Sequence, residues 1–281
     1  MVRLLRSTSL PPVSAWSAAL IAAVIGFGGT VALIVQAMRM LGATVEQTGS
    51  AVTALCLGIA IGGVILCLRL RIPILLAWST PGAALLTASA PGTSWPVAIG
   101  AFLVAGAMMT GLGAVPALSR LATRIPASIA SAMLAGVLLP FCLGLFRAGG
   151  QDPLLVFGLV AVFLVARLRF PLYALLLVLV AGVLLTLFRG DITHLPDGAI
   201  FGTLTPIVPV LDGRALISIA LPLCLVTLVS QNLPGLVVLR SAGYRPEPGP
   251  LLVGTGVATM ATAPFGALFV NLAAITAAIC T

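Results

Sequence analysis

Ten runs of apolar residues follow one another along the 281-residue chain, separated by short polar gaps. Most of them are close to the length of about 20 residues that an α-helix needs to cross a bilayer. They do not show the alternating short segments of an outer-membrane barrel. The pattern therefore predicts an all-α polytopic membrane protein. The runs cover residues 14–38, 47–68, 72–90, 95–118, 127–146, 153–166, 171–188, 214–236 and 251–263, and the tenth begins near 264.

The third run contains polar and helix-breaking residues at its centre, in the stretch AWSTPGAALL at residues 77–86. Thr80 precedes a proline, which disfavours helical angles, so it is predicted to cap a helix that begins at Pro81. Residues 73–79 are predicted to be extended. The half-helix would begin partway across the bilayer, where its free N–H groups and partial positive charge favour an anion. The alternative is an ordinary helix kinked at Pro81, with the Ser79 and Thr80 hydroxyls bonded to carbonyls of the preceding turn.

The tenth run is interrupted in a similar way. It contains Pro264 and Gly266 near its start and turns polar at Asn271. Residues 265–270 are predicted to be extended, and Asn271 is predicted to be the N-cap of a second half-helix from Leu272.

The two interruptions occupy equivalent places in two sets of spans. Seven spans that begin on one side of the membrane end on the other, so the eighth would open a second set of inverted topology after the long connection at 189–213. The interruptions then fall in the third span of each set, which points to a transporter binding site. The pattern predicts two inverted repeats of seven segments, of which the chain covers about ten. It also predicts that the second repeat continues beyond residue 281.

Few other polar side chains lie within the runs. Gln36 is late in the first run, and Gln231 and Asn232 are late in the eighth, just before Pro234 and Gly235. Such residues either hydrogen-bond neighbouring helices or line a site. The two interpretations have equal weight for Gln36, whereas the adjacent pair before a helix breaker favours a site.

Aromatic side chains flank both interruptions. Trp78 and Phe265 lie beside the breaks, and Phe27 in the first run is placed to face them. Trp16 and Trp95 lie at the ends of runs and are predicted to anchor the protein at the membrane interface.

Composition and charge support the membrane prediction. Apolar residues make up 60% of the chain and charged residues 7%, against about 25% charged residues in a soluble domain. All fourteen basic residues are arginines, and they lie in the gaps, ten on the side of the N-terminus and four on the other. The excess predicts a cytoplasmic N-terminus. Because the arginines are explained by orientation, the net charge of +8 does not indicate nucleic-acid binding.

The sequence contains no motif for an enzyme. The five cysteines form no Cys-x-x-Cys or Cys/His pair, so no metal site is predicted. No Asp, Glu or His falls inside a run, which argues against a buried proton relay in these spans. Catalytic triads and phosphate-binding loops are also missing from the sequence, so no cofactor is predicted.

Five stretches together resemble the benzoate/proton symporter family. They are LLAWSTPGAALL at 75–86, ASAMLAGVLL at 130–139, ALPLCLVTLVSQNLPG at 220–235, SAGY at 241–244, and the residues APFG and LAAITAAIC between 263 and 280. The resemblance implies a fold similar to that of the uracil and sulfate permeases, with fourteen segments in two inverted repeats. The third and tenth segments of that fold are each a short strand followed by a half-helix.

The resemblance also implies two domains. Residues 1–125 would form core segments one to four, residues 126–213 the gate segments five to seven with the connection, and residues 214–281 core segments eight to ten. The implied function is proton-coupled uptake of benzoate, or a similar aromatic carboxylate, across a bacterial inner membrane. Dimers occur on the permease fold, which suggests a homodimer by analogy alone.

The predicted site combines the two interruptions with the polar pair of the eighth run. The carboxylate would lie between the half-helix ends near 79–82 and 271–273, with its ring against Trp78 and Phe265. Gln231 and Asn232 would donate hydrogen bonds. The residues predicted to bind substrate are Trp78, Ser79, Thr80, Pro81, Gly82, Gln231, Asn232, Phe265, Gly266, Asn271 and Gln36.

Relatives that carry nucleobases have glutamates on the eighth and tenth segments, where this chain has Gln231, Asn232 and Asn271. The difference fits a carboxylate substrate and leaves the proton-carrying group unidentified. Two alternatives stay open at this point. One is another organic or inorganic anion on the same scaffold, and the other is a passive channel or a membrane subunit that does not transport.

Overall fold

The structure is a computed structural model that describes residues 13–89, 93–122, 127–171, 173–190 and 202–273. It is predominantly helical. The helices are α1 (Val13–Met40), α2 (Val45–Leu70), α3 (Thr80–Ser89), α4 (Trp95–Ala114), α5 (Pro116–Ala122), α6 (Ala127–Gln151), α7 (Pro153–Arg169), α8 (Ala174–Phe188), α9 (Gly213–Ser241) and α10 (Pro248–Thr262). The strands are β1 (Leu76–Trp78) and β2 (Val270–Leu272).

Several of these helices are suited to a bilayer. Within the described ranges, four are long and apolar enough to cross a membrane: Ala22–Met40 of α1, then α2, α4 and α9. Their apolar outer faces agree with the polytopic membrane protein predicted from the sequence.

Local capping explains where individual helices begin. Thr44 and Gln47 form a capping box at the start of α2, each side chain accepting a hydrogen bond from the other residue's N–H. Asp152 caps α7 by accepting from the Leu155 N–H. That hydrogen bond and the adjacent Arg189 guanidinium hold the pKa of the Asp152 carboxyl below its usual value. With its cap at Thr44, α2 begins at Val45, two residues before the apolar run, whereas α7 begins at Pro153, where its run begins.

Prolines interrupt the helices in two different ways. The fourth run was predicted as one element, but α4 ends at Ala114 because Val115 is extended before Pro116, and α5 follows. In contrast, α9 continues through Pro222 and Pro234. Each of these prolines follows a π-helical stretch, Leu216–Ala220 or Leu228–Asn232, whose wider turn accommodates the missing N–H.

The centre of the protein is the contact between α4 and α10. A Cβ atom added at Gly256 would clash with Thr110 Oγ1 and lie 2.6 Å from the Gly106 carbonyl oxygen. A Cβ at Gly113 would lie 2.6 Å from the Val253 nitrogen. The glycines thus allow the two helix backbones to approach closely, as at helix interfaces in membranes.

One predicted interface anchor is buried in this core. Trp95 is 3% exposed and packs edge-on against Phe102, with ring centroids 6.2 Å apart. The prediction that it lies at the membrane interface is therefore wrong, because α4 turns this residue toward α2 and the α10–β2 turn rather than outward. Trp16 is 62% exposed, and its place at the membrane interface stays a prediction.

The segment 202–212, which precedes α9, forms hydrogen bonds with three other parts of the core. Ser50 of α2 accepts a hydrogen bond from the Thr205 N–H at 2.9 Å, and its hydroxyl lies 3.0 Å from the Phe265 carbonyl oxygen. Further along, the Ile207 N–H donates to Pro264 and the Val210 N–H donates to Pro96. This extended segment thereby connects the start of α2, the end of α10 and the start of α4.

Candidate functional site

The two interrupted segments meet in a short antiparallel sheet. Ala77 lies opposite Asn271 at its centre, with Leu76 opposite Leu272 and Trp78 opposite Val270. One hydrogen bond extends the sheet at each end, from the Ser79 N–H to the Phe269 carbonyl oxygen and from the Ala273 N–H to the Leu75 carbonyl oxygen, both at 2.9 Å. These two bonds are equivalent when the strands are exchanged, so the pairing has local twofold symmetry.

Helix α3 begins directly after β1, and its cap is Ser79. The Ser79 Oγ accepts a hydrogen bond from the Gly82 N–H at 3.0 Å, and its carbonyl oxygen accepts from the Ala83 N–H. Thr80 is therefore the first helical residue and not the cap, which corrects the sequence prediction. Pro81 is tolerated at the second helical position because an N–H there has no partner within the helix.

Thr80 keeps its polar groups available at this helix end. It is half-buried, and within the described part of the chain neither its N–H nor its hydroxyl has a hydrogen-bond partner. Pro81 has no N–H and the Gly82 N–H is bonded to Ser79, so within the part of the chain that the structure describes Thr80 supplies the available donors of this first turn. The positive end of the α3 dipole lies at the same place.

The first turn of α3 packs tightly against α9. The Ser79 and Thr227 hydroxyl oxygens lie 2.9 Å apart, and both side chains are fully buried. A Cβ atom added at Gly82 would lie 2.6 Å from Leu223 Cδ1. A side chain at this position would therefore require Leu223 and the Ser79 cap to shift. Sequence reasoning missed Thr227, although it lies one helical turn before Gln231.

On the other side of β1, the Trp78 side chain packs against α1. Its indole Nε1–H donates to Thr30 Oγ1 at 2.7 Å. Its ring lies 5.6 Å from the Phe27 ring, at an interplanar angle of 58°. The structure thus brings Phe27 to Trp78, as the sequence suggested, and adds Thr30, which the sequence analysis did not single out.

The buried polar residues of the described chain are all neutral hydroxyls and amides. The four described Asp and Glu residues lie at the start of α2 or just before α7, α9 and α10. An anion bound next to the β1–β2 sheet would consequently be held by backbone and hydroxyl dipoles.

Comparison with known proteins identifies the family. The family model described as "Benzoate membrane transport protein" matches residues 9–281. "Inner membrane protein YdcO" of Escherichia coli (strain K12) is 38% identical over 278 residues, which are 98% of this chain and 70% of that protein. "Benzoate membrane transport protein" of Acinetobacter baylyi (strain ATCC 33305 / BD413 / ADP1) is 33% identical over 267 residues, which are 95% of this chain and 68% of that protein. The chain belongs to the benzoate membrane transport protein family. The sequence-based prediction of this family is confirmed, and the protein is a membrane transporter.

In this member of the benzoate membrane transport protein family, Asn232 supports the sheet. It is fully buried in the second π-helical stretch of α9, and its Oδ1 accepts from the Leu272 N–H at 2.9 Å. Its amide nitrogen lies 3.7 Å from Met109 Sδ. The Val270 N–H, on the same strand β2, donates to Thr259 Oγ1 of α10 at 3.0 Å. Both outward-facing N–H groups of β2 are thereby satisfied.

Asn271 does not cap a half-helix beginning at Leu272. It lies at the centre of β2, fully buried, because pairing with Ala77 keeps its backbone extended. The hydrogen-bond pattern assigns its amide nitrogen to a contact of 2.9 Å with the Ala77 carbonyl oxygen. The predicted second half-helix lies mainly after Ala273, outside the described residues.

Phe265 lies elsewhere than predicted. It ends a 3₁₀ turn, Ala263–Phe265, and does not open an extended segment, because Gly266 reverses the chain with a φ of 95°. Its side chain lines an apolar groove of about 660 Å³ between α2 and α10. Trp78 is not among the residues of that groove. Glycine suits this position because of that positive φ, and also because an added Cβ atom would lie 2.9 Å from Ala51 Cβ of α2.

The two glutamines that were predicted to bind substrate are accessible. Gln231 is half-buried in the second π-helical stretch, next to Asn232, and Gln36 is exposed late in α1. Among the described residues, no hydrogen bond joins either amide to the β1–β2 sheet. Trp78, Ser79, Thr80, Asn232 and Asn271 therefore lie together at the β1–β2 sheet. Phe265 and Gln36 lie away from it.

Proposed function

We propose that the protein is a secondary active transporter that couples proton flow to the uptake of benzoate or a similar aromatic carboxylate. Support for the substrate comes from the description of the family and from the name of the Acinetobacter baylyi relative. Support for an inner-membrane location comes from the name of the Escherichia coli relative. The cytoplasmic N-terminus rests on the distribution of arginines between the spans.

The observation that carries this proposal is the chemistry at the start of α3. Among the described residues the Thr80 N–H and hydroxyl have no hydrogen-bond partner, and they provide two donors at the positive end of a buried helix, next to an aromatic residue at position 78. A carboxylate could accept from both groups without a buried arginine or lysine. Ser79, Pro81 and Gly82 shape this end of the helix, as cap, donor-free position and close contact with α9.

Trp78 and Phe27 would receive the ring of the substrate. Aromatic rings prefer offset or edge-to-face contacts with centroids 4.5–7 Å apart, and the existing pair already shows this geometry. Gln231 would donate a further hydrogen bond from the second π-helical stretch of α9. Asn232 and Asn271 would act indirectly, by holding β2 against β1.

The proposed architecture is the fold with two inverted repeats of seven segments. The pairing of β1 with β2 supports it, because these strands come from the interrupted third and tenth runs, which hold equivalent places in the two repeats. In this arrangement residues 1–125 and 214–281 belong to the core and residues 126–213 to the gate, and access alternates when one moves against the other. A homodimer is proposed by analogy with that fold.

Uptake into proteoliposomes tests the function. The purified protein should concentrate labelled benzoate when an inward proton gradient is applied, and a protonophore should abolish the concentration. Folded protein that takes up no benzoate would refute the proposal. Uptake that ignores the gradient and only equilibrates the label would indicate a passive channel. Stabilisation in a thermal-shift assay by sulfate but not by benzoate would indicate a different anion.

A further inference from the structure

A directed chain of hydrogen bonds fixes the indole of Trp78. The indole N–H can only donate, and it donates to Thr30 Oγ1 at 2.7 Å. The Thr30 hydroxyl in turn donates to the Gly26 carbonyl oxygen of the preceding helical turn, also at 2.7 Å. Because the hydroxyl proton is committed to Gly26, Thr30 presents a lone pair to the indole. The orientation of Trp78 is thus set by α1.

The same face of α1 also supports the indole ring. Phe27 precedes Thr30 by three residues, and side chains at this spacing lie next to each other on a helix. The Phe27 and Trp78 rings are 5.6 Å apart and tilted by 58°. Trp78 is 7% exposed, whereas Phe27 is 45% exposed, so the pair has a covered side and an open side.

This arrangement lies next to the proposed carboxylate donors. Thr80 is only two residues beyond Trp78, and consecutive Cα atoms are about 3.8 Å apart, so a carboxylate at Thr80 would place its ring within reach of the aromatic pair. A flat ring can lie against two tilted rings at normal contact distances, whereas a puckered saturated ring is thicker and has no π-face.

We infer that Thr30 is a positioning residue for substrate selectivity: by holding the Trp78 indole against Phe27, it makes the site prefer planar aromatic monocarboxylates over saturated ring carboxylates of similar size. This inference rests on the proposed function and deepens it. Thr30 acts through Trp78 and does not itself contact the substrate. If Thr30 only satisfied a buried N–H, its loss would weaken the binding of both substrate types equally.

The experiment compares benzoate with cyclohexanecarboxylate as competitors of labelled benzoate uptake by the full chain in proteoliposomes. The ratio of their inhibition constants is measured for the wild type, Thr30→Val and Thr30→Ser. Thr30→Val should reduce the preference for benzoate by about tenfold, since it removes one buried hydrogen bond, and Thr30→Ser should restore it. Thr186→Val is the matched control, because Thr186 also bonds back to the helix, at Gly182 in α8, but has no hydrogen bond to an indole among the described residues.

The outcomes separate the two proposals. Absence of benzoate uptake by the wild type would refute the proposed function. Normal uptake by the wild type with an unchanged inhibition ratio in Thr30→Val would refute the role of Thr30 alone. Should Thr30→Val fail to fold, Phe27→Leu replaces it, since this half-exposed ring can be changed without opening a cavity in the core. A wild-type inhibition ratio in Phe27→Leu would equally overturn the inference.

Discussion

Ser79 and Thr227 join the start of α3 to α9 through a buried hydrogen bond between their hydroxyls, whose oxygens lie 2.9 Å apart. The same Ser79 oxygen accepts from the Gly82 N–H and so caps α3. The Ser79 Oγ atom therefore both caps α3 and links the start of this helix to α9. Any movement of α9 would act on the helix end that carries the proposed anion donors.

This relationship predicts coupled effects of two substitutions. Ser79→Ala should lower the free energy of unfolding by about 2 kcal/mol, because it removes the cap and the bond together. Thr227→Val removes only the bond and should cost about 1 kcal/mol. Denaturant unfolding in detergent should show that the double variant loses no more than Ser79→Ala. Fully additive losses would mean that the two hydroxyls do not interact. Ser241→Ala, at an exposed hydroxyl, is the control.

Thr80→Val should separate binding from stability. Valine has nearly the shape of threonine, and the Thr80 hydroxyl has no partner in the described part of the protein, so the free energy of unfolding should change by less than about 0.5 kcal/mol. Benzoate binding should weaken by about 1–3 kcal/mol, measured by calorimetry in detergent. Thr80→Ser should bind like the wild type. Unchanged benzoate affinity in Thr80→Val would remove this hydroxyl from the site.

Gln231 and Asn232 are adjacent, but their substitution should affect different properties: binding for Gln231 and stability for Asn232. Asn232→Leu leaves the buried Leu272 N–H without its acceptor and should cost about 1–3 kcal/mol of unfolding free energy. Gln231→Leu affects a half-buried amide and should leave stability nearly unchanged while weakening benzoate binding. Thermal unfolding and calorimetry on both variants distinguish the roles. A stable Asn232→Leu protein with normal affinity would contradict the supporting role of Asn232.

Two glycines in the membrane helices provide a test of the α4–α10 contact. Alanine is usually better than glycine within a helix, by up to about 1 kcal/mol. Gly111→Ala should show that gain, since nothing lies within 4 Å of an added Cβ there. Gly256→Ala should instead destabilise the protein by about 1–3 kcal/mol, because the new methyl group would collide with Thr110 and the Gly106 carbonyl. Equal melting temperatures for the two variants would show that α4 and α10 do not pack this closely.

Much of the architecture follows from the sequence alone, because a bilayer imposes strict demands on it. Long apolar stretches between arginine-containing gaps must form membrane helices, and the family resemblance lay in stretches that could be quoted directly. The interruption of the third run was also visible, since Ser-Thr-Pro-Gly lacks helix-forming character over four positions. These signals are local, and each depends on residues that are neighbours in the chain.

The tertiary structure decided what those local signals could not. Ser79 rather than Thr80 became the cap once its hydroxyl was also paired with Thr227, 148 residues away. Asn271 became part of a strand rather than a cap because pairing with β1 fixed its backbone. Thr30 acquired its role only through Trp78, 48 residues further along. In each case two chemically similar choices differ by one or two hydrogen bonds, and only the folded arrangement determines which partner is within reach.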